Sequence, residues 1–218
     1  AWSLLRTRDD TLWIGGPSAL LHLQGDAWQT IEPPDDVKGD PYEGAEFNDL
    51  YEDPLDGSVW VEFTTKPDWT GYTRRLVPAE DGTWTWEAIP ADAPAGPMKP
   101  LRAADNSLWL LGYNTLVHLE DATGRRTVFD SGQGIRGERY FEIAQDGDGT
   151  IWLTTDSALA YFDGRRWISS VTANEPPGGD VVAMAEASDG SLLFVSDNGE
   201  IAAFQNGQWE AIGSLNTD

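Results

Sequence analysis

The sequence predicts an all-β fold: a five-bladed β-propeller with four antiparallel strands per blade. Three observations predict it. The chain repeats itself at a period of about 40–50 residues, the length of one propeller blade. Each repeat alternates short apolar, β-branched and aromatic runs with Gly, Asp, Asn and Pro, the pattern of short strands joined by tight turns. No stretch of useful length carries a helical period.

The repeat is clearest on its aromatic residues. Aligned on the position after each aspartate-glycine-type turn, Trp13, Trp60, Trp109 and Trp152 fall into one register, and Leu193 takes the fifth place. A second register holds Trp28, Trp86, Thr127, Trp167 and Trp209. Between the two lie LLHL at 20–23, LVHL at 116–119, LAYF at 159–162 and IAAF at 201–204. Ahead of each turn stand SLL at 3–5, DLY at 49–51, PLR at 100–102, EIA at 142–144 and AMA at 183–185. Each unit is thus four strands, here A to D in chain order, with A innermost. One such sheet cannot bury both of its faces, whereas neighbouring blades bury a recurring aromatic between them. The expected blades are 1–31, 46–89, 98–129, 139–169 and 180–212, within a single propeller domain spanning 1–218. The chain begins in an A strand and ends past a D strand, so closure would rest on the first blade docking against the fifth. The competing reading is that five repeats belong to a longer array.

Composition narrows the function. With 218 residues the chain is long enough for one full core or one repeat array. Fourteen Lys+Arg against 37 Asp+Glu leave a formal charge of −23, a surface that repels nucleic-acid phosphate and anionic membrane. There is no cysteine, hence no disulfide framework and no thiolate chemistry. No apolar run reaches bilayer-spanning length. The chain opens directly in AWSLLRTR, which reads as a strand and suggests a mature or excised fragment. Acidity with few lysines fits a secreted or salt-adapted protein.

The segment DGTIWLTTDSALAYFDGRRW resembles the two-component regulator propeller repeat nearly throughout. DTLWIGGPSALLHLQGDAW and DNSLWLLGYNTLVHL also match that family's pattern, the second unit departs through an inserted loop, and the fifth replaces the signature Trp with Leu193. The resemblance implies a propeller and a sensory or binding role, such as the extracytoplasmic input module of a larger sensor protein. A similar repeat style in the streptogramin lyase family would imply an enzyme. Only His22 and His118 could supply its histidine, and both fall at one repeated place in strand C, which marks them as structural.

A ligand is expected on the face that carries the B–C and D–A connections, because these are the long ones and loops on a rigid scaffold carry function. The D–A segments are IEPPDDVKGDPYEGAEF, IPADAPAGPMK, FDSGQGIRGERY and SSVTANEPPGGD, and the second B–C loop expands to TTKPDWTGYTRR. Trp69, Tyr72 and Arg74 in that expanded loop suit a sugar ring or a peptide. Arg136, Glu138, Arg139 and Tyr140 in GIRGERY bring cations into an acidic chain, and arginine forks suit carboxylates. Asp49 and Glu142 fall at one repeated position, with Ser3, Pro100 and Ala183 elsewhere. Facing a central channel, they would hold a cation such as calcium or serve as an acid/base pair. The DGDG at 146–149 lacks the remaining ligands of an EF-hand loop. No cofactor is expected.

The predicted function is a non-enzymatic ligand- or protein-binding propeller, a sensory or interaction module of a larger protein, that takes a small molecule, glycan or peptide segment on its loop-rich face. Alternatives are a lectin-like propeller, a lyase or hydrolase using the channel carboxylates, and a scaffold within a longer chain.

Overall fold

A computed structural model describes residues 3–35, 45–66, 69–88, 96–120, 123–170 and 178–215. The described residues hold twenty strands and no α-helix. The strands form five sheets of four, each antiparallel. The first sheet is β1 (Ser3–Arg6), β2 (Leu12–Gly16), β3 (Ala19–Gln24) and β4 (Ala27–Ile31). The second is β5 (Ala45–Glu52), β6 (Val59–Thr65), β7 (Thr70–Pro78) and β8 (Trp84–Ala88). The third is β9 (Lys99–Arg102), β10 (Leu108–Leu111), β11 (Leu116–Glu120) and β12 (Arg125–Phe129). The fourth is β13 (Tyr140–Gln145), β14 (Ile151–Thr155), β15 (Leu159–Phe162) and β16 (Trp167–Ser170). The fifth is β17 (Val181–Glu186), β18 (Leu192–Ser196), β19 (Glu200–Gln205) and β20 (Gln208–Ser214). Two compact units divide the chain, Ala1–Arg102 and Ala103–Asp218.

The turn between the first two strands of each sheet explains the repeated Asp-Gly signature. Its tightest residue lies in the left-handed region in all five: Asp10, Gly57, Asn106, Gly149 and Gly190. Glycine adopts that backbone freely, and Asp and Asn tolerate it best among the rest. The residue before it is an aspartate in each. In four turns its carboxylate accepts the N–H two residues on: Asp9 from Thr11, Asp56 from Ser58, Asp105 from Ser107 and Asp189 from Ser191.

Next comes the signature Trp, and strand pairing sets its partner on the third strand. Trp13 faces His22, Trp60 faces Arg75, Trp109 faces His118 and Trp152 faces Tyr161. His22 and His118 stack on their indoles at 4.1 and 3.9 Å, Arg75 lies over Trp60 at 5.7 Å, and Tyr161 tilts against Trp152 at 5.4 Å. In the fifth sheet Leu193 faces Ala203, so both members are small. Burial holds both histidines below the usual imidazole range, against the pull of nearby carboxylates. Both rings are therefore packing groups, as their repeated position implies.

Within each unit the next sheet covers these stacks. Trp84 meets Trp13 edge-on at 4.7 Å. Phe162 and Trp167 meet Trp109 at 5.2 and 5.8 Å, and Phe204 and Trp209 meet Trp152 at 4.7 and 6.2 Å. Trp167 pairs with Phe162 and Trp209 with Phe204, just as Trp28 pairs with Leu23 and Trp86 with Leu76. In the third sheet that place belongs to Arg126, opposite Leu119, and not to Thr127, which faces His118. The aromatic register misplaces Thr127 by one residue: Leu119 and Arg126 lie seven apart in the chain, whereas the equivalent pairs Leu23–Trp28, Phe162–Trp167 and Phe204–Trp209 lie five apart.

Candidate functional site

The second sheet departs from the others at one end. In the first sheet only one pair, Gly16 with Ala19, follows the pair Gly15–Leu20. At the matching place in the second sheet, Glu62–Thr73 is followed by three pairs: Phe63–Tyr72, Thr64–Gly71 and Thr65–Thr70. β5 runs alongside, pairing Ala45 with Thr65 and Phe47 with Phe63. The segment expected as an expanded loop is therefore mostly strand. It forms a three-stranded lip about 10 Å long at the usual strand rise.

The lip is braced within its own unit. Ser18 N donates to Ala45 O at 2.8 Å, and Pro17 bridges Glu46. On the other edge Pro97 packs so tightly on Gly71 that a Cβ there would lie 2.6 Å from its ring. Phe63 is fully buried, and Tyr72 stacks on it at 5.6 Å. The Arg74 guanidinium lies 5.4 Å over the Tyr72 ring and donates to Thr73 O at 3.0 Å. Tyr72 and Arg74 are half-buried.

Trp69 sits at the tip with φ +55° and is 59% exposed. Lys66 Nζ lies 5.0 Å over its ring and 2.8 Å from Glu46 Oε1. The chain Glu46–Lys66–Trp69 braces an indole that faces solvent, since a partly exposed cation over an indole is worth about 0.5–1 kcal/mol. At the base of the lip Asp49 stands directly opposite Glu62. Burial, then the charge of Asp49, pushes the Glu62 carboxyl above its usual range. Glu62 lies two residues after Trp60, where other sheets carry Gly15, Leu111, Thr154 and Val195. That departure from the repeat was a readable signal for a residue the sequence analysis passed over.

The second group lies in the other unit. Asp130 caps a single 3-10 turn, Ser131–Gln133, which leads through Gly134 and Gly137, both in the left-handed region, to β13. Arg136, Glu138 and Arg139 are exposed. Arg136 N donates to Ser169 Oγ, and its carbonyl accepts from Thr155 Oγ1. Asp156 accepts the Glu138 N–H and pairs with Arg139 at 3.5 Å, while Arg139 also lies 5.8 Å over Phe141. Tyr140 is buried, and its hydroxyl has no hydrogen-bond partner among the described residues. Burial, with Asp130 adding to it, pushes that phenol up to about 12. Glu142 is half-buried at the step in register that follows Tyr140, its N–H donating to Thr154 Oγ1. Arg139 is thus locally paired, and the exposed side chains of this group present mixed charge. Asp49 and Glu142 belong to different units. Among the described residues no group of three or more His, Asp or Glu could hold a metal ion. The DGDG carboxylate Asp146 is spent locally: it accepts the N–H groups of Asp148 and Thr150 and the Trp152 indole N–H. The connections 36–44, 89–95 and 171–177, where three of the expected ligand loops fall, lie outside the described residues.

No family model matches the sequence, and no curated protein matches it either. Solved structures do match. The extracellular domain of the hybrid two component system BT3049 from B. thetaiotaomicron aligns over 98% of this chain at TM-score 0.67 and 16% identity. PorZ, a bacterial surface component of the type-IX secretion system of Porphyromonas gingivalis, aligns over 93% at TM-score 0.63 and 11% identity. YCF48, solved bound to D1 peptide, aligns over 96% at TM-score 0.56 and 14% identity. At these identities the likeness is one of fold: all-β and propeller-like. The chain spans 30% of the BT3049 domain, 32% of PorZ and 64% of YCF48.

Proposed function

We propose that this chain is a non-enzymatic binding module, part of an extracytoplasmic sensory or interaction region of a longer protein. Its five sheets are read as five propeller blades. The observation that carries this reading is the lip of the second sheet, with an exposed Trp69 held in place by Lys66 and Glu46. A rigid indole with a polar rim suits a sugar ring or an extended peptide, because little side-chain freedom is lost on binding. The fold neighbours support the setting: one is an extracellular domain of a two component system, one a surface component, and one was solved with a peptide.

The test is a glycan and peptide array probed with the parent chain and with Trp69→Ala. Trp69 is exposed at a hairpin tip, so the variant should fold. Binding by the parent that the variant loses supports the reading, and equal binding by both moves the site elsewhere. A second reading, a lyase or hydrolase, draws on the opposed carboxylates Asp49 and Glu62 with the raised Glu62 carboxyl. Turnover of an array ligand that Glu62→Gln abolishes would favour it.

A further inference from the structure

The sequence holds asparagine followed by glycine twice, at Asn198–Gly199 and at Asn206–Gly207. Both pairs lie in turns of the fifth sheet, the first between β18 and β19 and the second between β19 and β20. Both asparagines are exposed, and they differ in what holds them. Asn198 Oδ1 accepts from Ser196 Oγ and from the Glu200 N–H, and its Nδ2 donates to Gly178 O. The N–H of Gly199 is engaged as well, donating to Ser196 O at 2.9 Å.

The second pair is untied. Among the described residues neither the Asn206 amide nor the Gly207 N–H has a hydrogen-bond partner. The two residues form the centre of a hairpin turn closed by the pair Gln205–Gln208, with φ +51° and +74°. A turn with two left-handed central residues favours Asn-Gly. A Cβ built on Gly207 would meet nothing within 4 Å, so nothing shields that side of the turn. The matching turn of the fourth sheet, residues 163–166, is exposed too, although the fifth sheet packs beside it. Exposure therefore belongs to this turn as such.

We propose that Asn206 is a site of spontaneous deamidation and that Asn198 is protected from it. The Gly207 nitrogen, on losing its proton, attacks Asn206 Cγ. An N–Cγ bond forms, the Cγ–Nδ2 bond breaks, and the side-chain nitrogen leaves as ammonia carrying that proton. Glycine favours this ring closure because it has no side chain to crowd the attacking nitrogen. Water then opens the cyclic imide at either carbonyl, leaving aspartate or isoaspartate at position 206. At Asn198 the amide and the neighbouring N–H must first let go of their partners. Each product carries one negative charge more than the −23 of the parent. That carboxylate joins Asp146, Asp148 and Asp189 around a recess of about 130 Å³, where like charges repel. Isoaspartate also adds a backbone carbon to the turn, which disturbs the pairing of Gln205 with Gln208.

The test is the folded chain held in mildly alkaline buffer at body temperature and sampled over weeks by peptide mass mapping, beside the same chain unfolded in urea. In urea both sites are expected to convert at similar rates, because the dipeptide is the same. In the folded chain Asn206 is expected to convert faster than Asn198 by about tenfold or more, because four hydrogen bonds must open at the latter. Asn206→Gln, whose longer side chain closes a ring poorly, is expected to lose the conversion at that turn. Ser196→Ala, which removes one donor to Asn198, is expected to speed it there. Equal rates at the two sites in the folded chain overturn the proposal. So does a folded chain in which Asn206 stays intact while the unfolded chain converts, as a turn too rigid for ring closure would give.

Discussion

The fourth and fifth sheets share a strand plan and differ in what fills it. In the fourth, Asp146 accepts the Trp152 indole N–H at 2.8 Å, Tyr161 lies against the ring, and the next sheet covers both. In the fifth, Ala187, Leu193 and Ala203 stand at the same three places. Aspartate, indole and stacking ring are absent together. Where the aspartate is present, its carboxylate satisfies a buried indole N–H and the ring fills the space beside it; the third sheet keeps its indole and stacking ring with Ala103 at that place, so the ring pair stands without the carboxylate. The first sheet is intermediate. Thr7 stands where the aspartate would be, and Trp13 Nε1 has no hydrogen-bond partner among the described residues.

This comparison can be broken most forcefully at Trp152. Trp152→Ala removes a buried indole with several ring partners, and about 3–5 kcal/mol of stability should go with it. Leu193→Ala in the fifth sheet, measured by the same denaturant titration, should cost far less. A similar loss at both positions would dissolve the distinction.

Asp53 is next. It accepts the Trp60 indole N–H at 3.2 Å and two guanidinium N–H groups of Arg102 at 2.7 and 3.1 Å, with its side chain fully buried. Burial pushes its carboxyl up, but Arg102 and the other donors outweigh that and hold it below the usual range. Asp53→Asn leaves a buried guanidinium half-paired and should cost about 3 kcal/mol. A carboxyl depressed in the folded state stabilises above its unfolded pKa. That contribution fades as pH falls below about 4, so Asp53→Asn should flatten the acid limb of the stability curve.

The histidines give a smaller effect of opposite character. Burial favours neutral His22 and His118 in the fold, so the unfolded chain binds more protons below about pH 6.5 and stability falls as pH drops through that range. Neither ring nitrogen of His22 has a hydrogen-bond partner among the described residues. The double variant His22→Phe, His118→Phe should therefore keep its melting temperature between about pH 7.5 and about pH 5.5 better than the parent. Identical slopes would mean that the histidines take up a proton as readily in the fold as in the unfolded chain. The mildest change is the rebuilt assembly Ala187→Asp, Leu193→Trp, expected to move stability by less than about 1 kcal/mol because the indole enters an open hollow.

The strand plan was legible because a four-strand period imprints itself on aromatic and turn residues together. Its limits have physical causes. Thr127 was misaligned because Leu119 and Arg126 lie seven apart where the equivalent pairs of the first, fourth and fifth sheets lie five apart, and an error of one residue moves a side chain to the other face. Arg75 was missed as a stacking partner because a guanidinium does not look like a ring, although it covers an indole as well as one. Tyr72 and Arg74 read as loop residues, yet extra strand pairs carry them onto a packed face. The role of Asp53 and Asp146 was hidden among the many aspartates of an acidic chain. Trp69 was legible as an aromatic that no repeat required, whereas its cation partner Lys66 emerged only from the folded hairpin.

The most direct test of the binding reading is the melting temperature of the parent chain and of Trp69→Ala, each with and without the strongest array ligand. Binding to the native state alone raises stability by about 2.7 kcal/mol at a hundredfold excess over Kd. The account predicts matching melts without ligand, a clear upward shift for the parent with it, and little shift for the variant. An equal shift in both would contradict a site on the lip of the second sheet.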